Sequence, residues 1–213
     1  MGTMALRWAA VWLLPLALAG QSGNGEWRAL FDGKSLAGWK ESDFLGAGKV
    51  RVEDGSVKIG AGALTGITWA GSTLPFGNSS YEVRIEAARI KGSDFFAGIT
   101  FPVGDSFCTW INGGWGGEVV GLSSIDGADA SMNETTFTRK FESGRWYSLR
   151  LRVTPARISA WIDEEQAIDV AIGKKWIALR EGEIVHSMPF GIAAYATAAS
   201  VRKIEWRPLP ARD

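Results

Sequence analysis

Apolar and polar residues alternate along most of the chain. Tyr81, Val83, Ile85 and Ala87 are separated by Glu82, Arg84 and Glu86, the period of two that marks a half-buried strand. Tyr147, Leu149, Leu151 and Val153 alternate in the same way with Ser148, Arg150 and Arg152. Ile158, Ala160 and Ile162 repeat the pattern ahead of a turn at Asp163–Gln166, and residues 167–172 are expected to return as the hairpin partner. Asp54-Gly55, set between apolar runs, predicts a two-residue hairpin turn within 50–60. Further strands are expected over 95–101, 106–112, 117–123, 135–141, 183–195 and 199–207. No stretch sustains a helical period for three turns. Residues 174–182 come closest and read as a short strand with loops. No repeat and no Pro- or Ser-rich linker divides the chain. The pattern predicts an all-β fold, a two-sheet antiparallel sandwich with long loops crowding the rim of one curved sheet.

The first residues break this grammar. Arg7 is followed by an apolar run from Trp8 to Ala19 that ends on Ala17-Leu18-Ala19, a small-x-small cleavage pattern. The run is shorter than the about 20 residues needed for a helix to span a bilayer core. Residues 1–19 therefore read as a secretory signal peptide, and 20–213 as one exported domain, periplasmic or extracellular, with no membrane span.

Composition narrows the function class. The 23 basic and 23 acidic side chains balance, which argues against a nucleic-acid partner. Cys108 is the only cysteine, so the chain has no internal disulfide. It sits in an apolar alternating run and reads as a buried structural residue rather than a nucleophile paired with His186, the only histidine. No P-loop, dinucleotide fingerprint, metalloprotease helix or serine-nucleophile elbow is present, and no cofactor is expected.

Candidate chemistry gathers in 110–135, which reads WINGGWGGEVVGLSSIDGADASMNET. Trp115 is flanked by Gly113, Gly114, Gly116 and Gly117. Glycines allow unusual backbone angles and close approach of a ligand, so Trp115 offers either a stacking face for a sugar ring or a structural bulge with the indole packed inward. Trp69 and Trp110 are further stacking candidates, and Asn112 and Asn133 are candidate hydrogen-bonding partners of a sugar. Asp126, Asp129 and Glu134 bring three carboxylates into one short loop. They suit sugar hydroxyls or a general base, and equally a solvated turn. Their spacing does not match an EF-hand loop, and no metal is expected.

Four segments together resemble a known family. They are Leu30-Phe31-Asp32-Gly33-Lys34-Ser35-Leu36-Ala37-Gly38-Trp39, Val52-Glu53-Asp54-Gly55, Pro189-Phe190-Gly191-Ile192-Ala193, and Val201-Arg202-Lys203-Ile204-Glu205-Trp206-Arg207-Pro208-Leu209. In this order and spacing, over about residues 26–210, the chain is similar to the 3-keto-disaccharide hydrolase domain family. The resemblance implies a concanavalin-A-like jelly roll, export in bacteria, a carbohydrate ligand, and cleavage of glycosides oxidised at C3. It carries over no catalytic residue. A carbonyl at C3 acidifies the C2 proton, so such cleavage needs a base, an acid at the leaving oxygen and a group polarising the carbonyl. Asp126, Asp129, Glu134 and His186 are the base candidates; Asn133 or an arginine is the polarising candidate. The alternative is a non-catalytic glycan-binding module of laminin-G type, with Trp115 or Trp69 as the platform. A third reading is an interaction domain of the cell envelope.

Overall fold

The computed structural model describes residues 25–210, so the signal peptide assigned to residues 1–19 lies outside the described residues. In chain order the strands are β1 (Arg28–Ala29), β2 (Trp39–Glu41), β3 (Val50–Glu53), β4 (Ser56–Ile59) and β5 (Thr65–Trp69). The middle of the chain holds β6 (Tyr81–Gly92), β7 (Gly98–Val103), β8 (Ser106–Gly114), β9 (Val119–Ser123) and β10 (Phe137–Thr138). The last third holds β11 (Trp146–Val153), β12 (Arg157–Ile162), β13 (Glu165–Ala171), β14 (Gly191–Ala194) and β15 (Thr197–Pro208). One 3-10 turn, Glu183–Ser187, is the only helical element among the described residues.

The strands form two antiparallel sheets. One runs β13-β12-β11-β6-β15-β4-β3, with β1 added to β15; the other runs β10-β9-β8-β7-β14-β5-β2. The period-two segments fall where alternation requires. Tyr81, Val83, Ile85 and Ala87 meet Val153, Leu151, Leu149 and Tyr147 in turn across β6–β11 and face the core. The second sheet answers with Ile67, Ile99, Phe101, Trp110, Leu122 and Ile192. Cys108 lies in the same layer, fully buried, and burial pushes its thiol up to about 12.

Hairpin chemistry closes the strands. Asp54 and Gly55 take φ of 50° and 70°, the paired left-handed angles of the predicted two-residue turn. The later hairpin is tighter than its sequence suggests. Ile162 pairs Glu165, so only Asp163 and Glu164 turn, and β13 begins two residues before the expected start.

The outer face of the eight-stranded sheet is a charged lattice. Glu82 is fully buried there by Arg150, Arg152 and Arg207, whose nitrogens lie 3.1, 2.7 and 2.5 Å from its oxygens. Arg150 also lies 3.7 Å over the Trp161 ring. The balanced total charge hides this arginine-rich face.

Several expectations are corrected. Residues 174–182 form no strand; Ile177 makes one isolated bridge to Ile125. Residues 183–187 are the 3-10 turn, so the expected strand over 183–195 reduces to β14 and His186 sits on that turn rather than at a strand end. The strand expected over 135–141 reduces to Phe137–Thr138. β1, β2 and β5 are short and were not evident from alternation.

Candidate functional site

The seven-stranded sheet turns a face of small residues away from the core. Thr109 of β8 stands opposite Ser123 of β9. Both alternate with the core residues Cys108, Trp110 and Leu122, so both point outward. The Thr109 hydroxyl is 2.9 Å from that of Thr100. The Ser123 hydroxyl is buried and has no hydrogen-bond partner among the described residues.

A long loop crosses this face and is tied to it by hydrogen bonds. The Ser124 amide donates to the Ala178 carbonyl at 2.7 Å, and the Ser106 hydroxyl to that of Ile177 at 2.6 Å. Thr68 donates to the His186 carbonyl at 2.9 Å. A cavity of about 310 Å³ remains between loop and sheet. Its floor is Thr109, Ile111 and Ser123. One wall is aromatic: Phe95, Trp115 and Tyr195. The opposing loop contributes Arg180, Glu181, Glu183 and Ile184.

The aromatic wall has a specific support. Gly113 and Gly117 adopt φ of 79° and 108°, which turns both carbonyls onto the buried Arg89. Arg89 Nη2 donates to them at 3.2 and 2.7 Å, with its guanidinium 5.4 and 5.8 Å from the rings of Phe96 and Phe141. Burial draws the Arg89 pKa below its ordinary value, against the opposing charge of Asp94. Asp94 accepts from the amides of Phe95 and Gly116 at 2.8 and 3.3 Å, linking the two aromatic segments. The glycine-rich stretch is therefore a structural clasp, and the tryptophan it carries stands in the cavity wall.

The sequence candidates divide among several places. Trp115 lines the cavity and is 42% exposed, with the Arg180 guanidinium 5.8 Å over its ring. Asp129 stands behind that arginine, 3.7 Å from it, and accepts from the Ser131 amide and hydroxyl. Glu134 binds Lys175 at 2.6 Å, which holds that ammonium above its ordinary pKa, and Asp126 lies 3.8 Å from the same nitrogen. Asp126 also accepts from the Trp176 amide at 2.8 Å. Neither Asp126 nor Glu134 lines the cavity over the sheet. Glu134 and Lys175 instead line a larger groove, about 580 Å³, between the edges of the two sheets near β10 and β13. Phe137 is the one aromatic in that groove. The smaller cavity is the better candidate because it joins three aromatics, two carboxylates and an unpartnered hydroxyl.

Four candidates are corrected by their surroundings. Trp110 is fully buried between the sheets and offers no face to a ligand. Asn112 is fully buried and donates to the Ala97 carbonyl at 3.0 Å. Asn133 spends its amide nitrogen on the carbonyls of Leu122, Ala128 and Asp129, and its oxygen on Thr135, so it shapes the loop. Trp69 packs edge-on against Trp39 at 5.6 Å and donates to the Thr73 carbonyl, away from the cavity. His186 is exposed beside Phe44, on the turn that carries Glu183 and Ile184.

Sequence reasoning missed Phe95, Tyr195, Arg180, Glu181 and Glu183. The signal available was Arg180-Glu181-Gly182-Glu183, a charged loop beside a short strand.

Comparison with known proteins bears on the fold and the family. No curated protein matches the chain. Solved structures do match, at identities that speak for the fold alone. A Parabacteroides distasonis protein with a glycosyl hydrolase assignment shares 16% identity over 87% of this chain and 94% of its own, with a TM-score of 0.55. The Crh5 transglycosylase shares 10% identity over 89% of this chain and 85% of its own, with a TM-score of 0.56. The carbohydrate-binding module CBM66 from Bacillus subtilis shares 12% over 80% and 95%, with a TM-score of 0.50. The family model of the 3-keto-alpha-glucoside-1,2-lyase-like domain covers residues 26–207, from before β1 into β15, and the chain belongs to that family.

Proposed function

We propose that this protein is exported and cleaves glycosides whose sugar is oxidised at C3, using the cavity between the 173–188 loop and the seven-stranded sheet. The observation that carries the reading is the convergence of Glu181, Glu183 and Arg180 on one aromatic-walled cavity in a chain of this family. A carboxylate of Glu183 or Glu181 takes the C2 proton, and the electron pair forms an enolate on the C3 carbonyl. Arg180, anchored by Asp129, stabilises the negative oxygen. The enolate collapses, the C1–O bond breaks, and the leaving oxygen takes a proton from the second carboxyl. Water then adds across C1=C2, hydroxyl to C1 and proton to C2, which gives net hydrolysis. His186, on the same 3-10 turn, is the remaining acid–base candidate.

The test is incubation with 3-keto disaccharides and the matching unoxidised sugars, with products read by mass spectrometry. Release of monosaccharide or of the dehydrated keto-sugar from the oxidised set alone supports the reading. Saturable binding with no product overturns it in favour of a glycan-binding module.

A further inference from the structure

Building on that reading, we infer that the cavity selects 3-keto glycosides of aromatic alcohols, with Ser123 holding the sugar at the floor and Trp115 and Tyr195 holding the aglycone at the mouth. A sugar ring needs a polar partner for most of its in-plane hydroxyls, whereas an aryl group needs flat apolar walls. The cavity's lining leans to the second, with six apolar or aromatic residues against five polar ones. Among its lining groups, Leu64, Phe95, Ile111, Trp115, Ile184 and Tyr195 are apolar or aromatic. The Phe95 and Tyr195 rings stack at 5.9 Å and 26°, a rigid flat pair.

Depth separates the two ends. Ser123 is 3% exposed and its hydroxyl has no partner, which in a buried position costs free energy unless a ligand supplies the bond. Its neighbour Thr109 is 1% exposed and is already paired to Thr100. A single polar anchor therefore waits at the bottom. Tyr195 and Trp115 are 45% and 42% exposed, and both stand on the cavity. A second sugar at the mouth would cover these rings only with its C–H face and leave its hydroxyls to solvent, whereas an aryl group is apolar over its whole face.

The experiment compares the full exported chain on three oxidised substrates: phenyl 3-keto-glucoside, methyl 3-keto-glucoside and a 3-keto glucose disaccharide, each in both anomers. Both kcat/KM and calorimetric affinity are measured. The expected result is about a tenfold or greater preference for the phenyl glycoside over both others, the range one apolar group commands in a fitted pocket. Tyr195→Ala and Trp115→Ala should each shrink the phenyl-to-methyl ratio toward unity, while Ser123→Ala should weaken all three substrates together. Equal or better use of the disaccharide overturns the inference while leaving the proposed activity standing. If no substrate is cleaved, the proposed activity fails, and the affinities still decide: phenyl preference sustains the aglycone site, and equal or absent binding overturns it.

Discussion

Arg89 Nη2 donates to the Gly117 carbonyl at 2.7 Å, and that bond fixes the loop on which Trp115 stands. The same nitrogen serves Gly113, so one buried guanidinium donates to two carbonyls. Arg89→Met is expected to destabilise the fold by about 2–4 kcal/mol, because both carbonyls lose their donor in a dry setting. Urea unfolding measures it; a change below about 0.5 kcal/mol would mean that water replaces the guanidinium.

Gly113→Ala and Gly117→Ala test the same clasp from the backbone side. Each position has positive φ, and a methyl group at either one would press on the Arg89 guanidinium. Losses of about 2–4 kcal/mol are expected, against about 1 kcal/mol for Gly116→Ser, whose Cβ position is open to solvent though its φ is also positive, so that only backbone strain acts there. Thermal denaturation of the three variants ranks them.

How much of this was readable in the sequence depends on the range of the cause. Alternation is local, and it correctly located β6, β11, β12 and the Asp54-Gly55 turn. It failed at β2 and β5, whose pairing is decided by partners far along the chain. The site failed differently. Polarity around 126–134 reads as a ligand loop, yet Asn133 and Asp129 spend their oxygens on neighbouring backbone and hydroxyl groups. Glycines around Trp115 read as an opening for a ligand, yet two of them serve a buried arginine 24 and 28 residues earlier. Tyr195 joins Phe95 only because β14, which precedes it, pairs with β7. No local pattern announces that meeting.

Glu82 makes the acid limb of stability predictable. Burial alone would raise its carboxyl pKa, but hydrogen bonds and charge from Arg152 and Arg207 outweigh it and hold the group below its ordinary 4.5. A folded pKa below the unfolded one gives stability that is complete above about pH 4.5 and is lost as pH falls through the lower folded value. Glu86, held down by Lys203 and Arg202 against its own desolvation, acts in the same window. Stability should be nearly flat from neutral pH to about 5 and then fall. Glu82→Gln should cost about 2–4 kcal/mol at pH 7 and make the acid decline shallower. A variant with the parent's full acid slope would assign that slope to other carboxylates.

Cys108 provides a clean probe of the core. Its thiol is fully buried and pushed up to about 12, so almost no thiolate exists at pH 8. A disulfide-exchange reagent should leave it untouched in the native protein and titrate one thiol in denaturant. Rapid native labelling would mean that β8 opens readily, since Cys108 lies mid-sheet between β7 and β9.

Glu183 separates the chemistry from the scaffold. Its Oε2 accepts from the Leu45 amide at 2.8 Å, a bond that pins the 3-10 turn over the cavity. In Glu183→Gln the amide oxygen can keep that bond while the group loses its capacity to take a proton. The melting temperature should therefore move by no more than about 2 °C, a surface-level change. If Glu183 removes the C2 proton, kcat on a 3-keto glycoside should fall by about 10²–10⁴-fold, the worth of a positioned general base. Glu181→Gln is the matched control, since Glu181 lines the same cavity from the other side of Gly182. A large loss in Glu181→Gln with little in Glu183→Gln would exchange the two assignments. Full activity in both would remove the loop carboxylates from proton transfer and turn attention to Asp129, which already faces Arg180 across 3.7 Å. The decision comes from comparing kcat with unfolding on the same variants, because a base changes the first and a structural anchor changes the second.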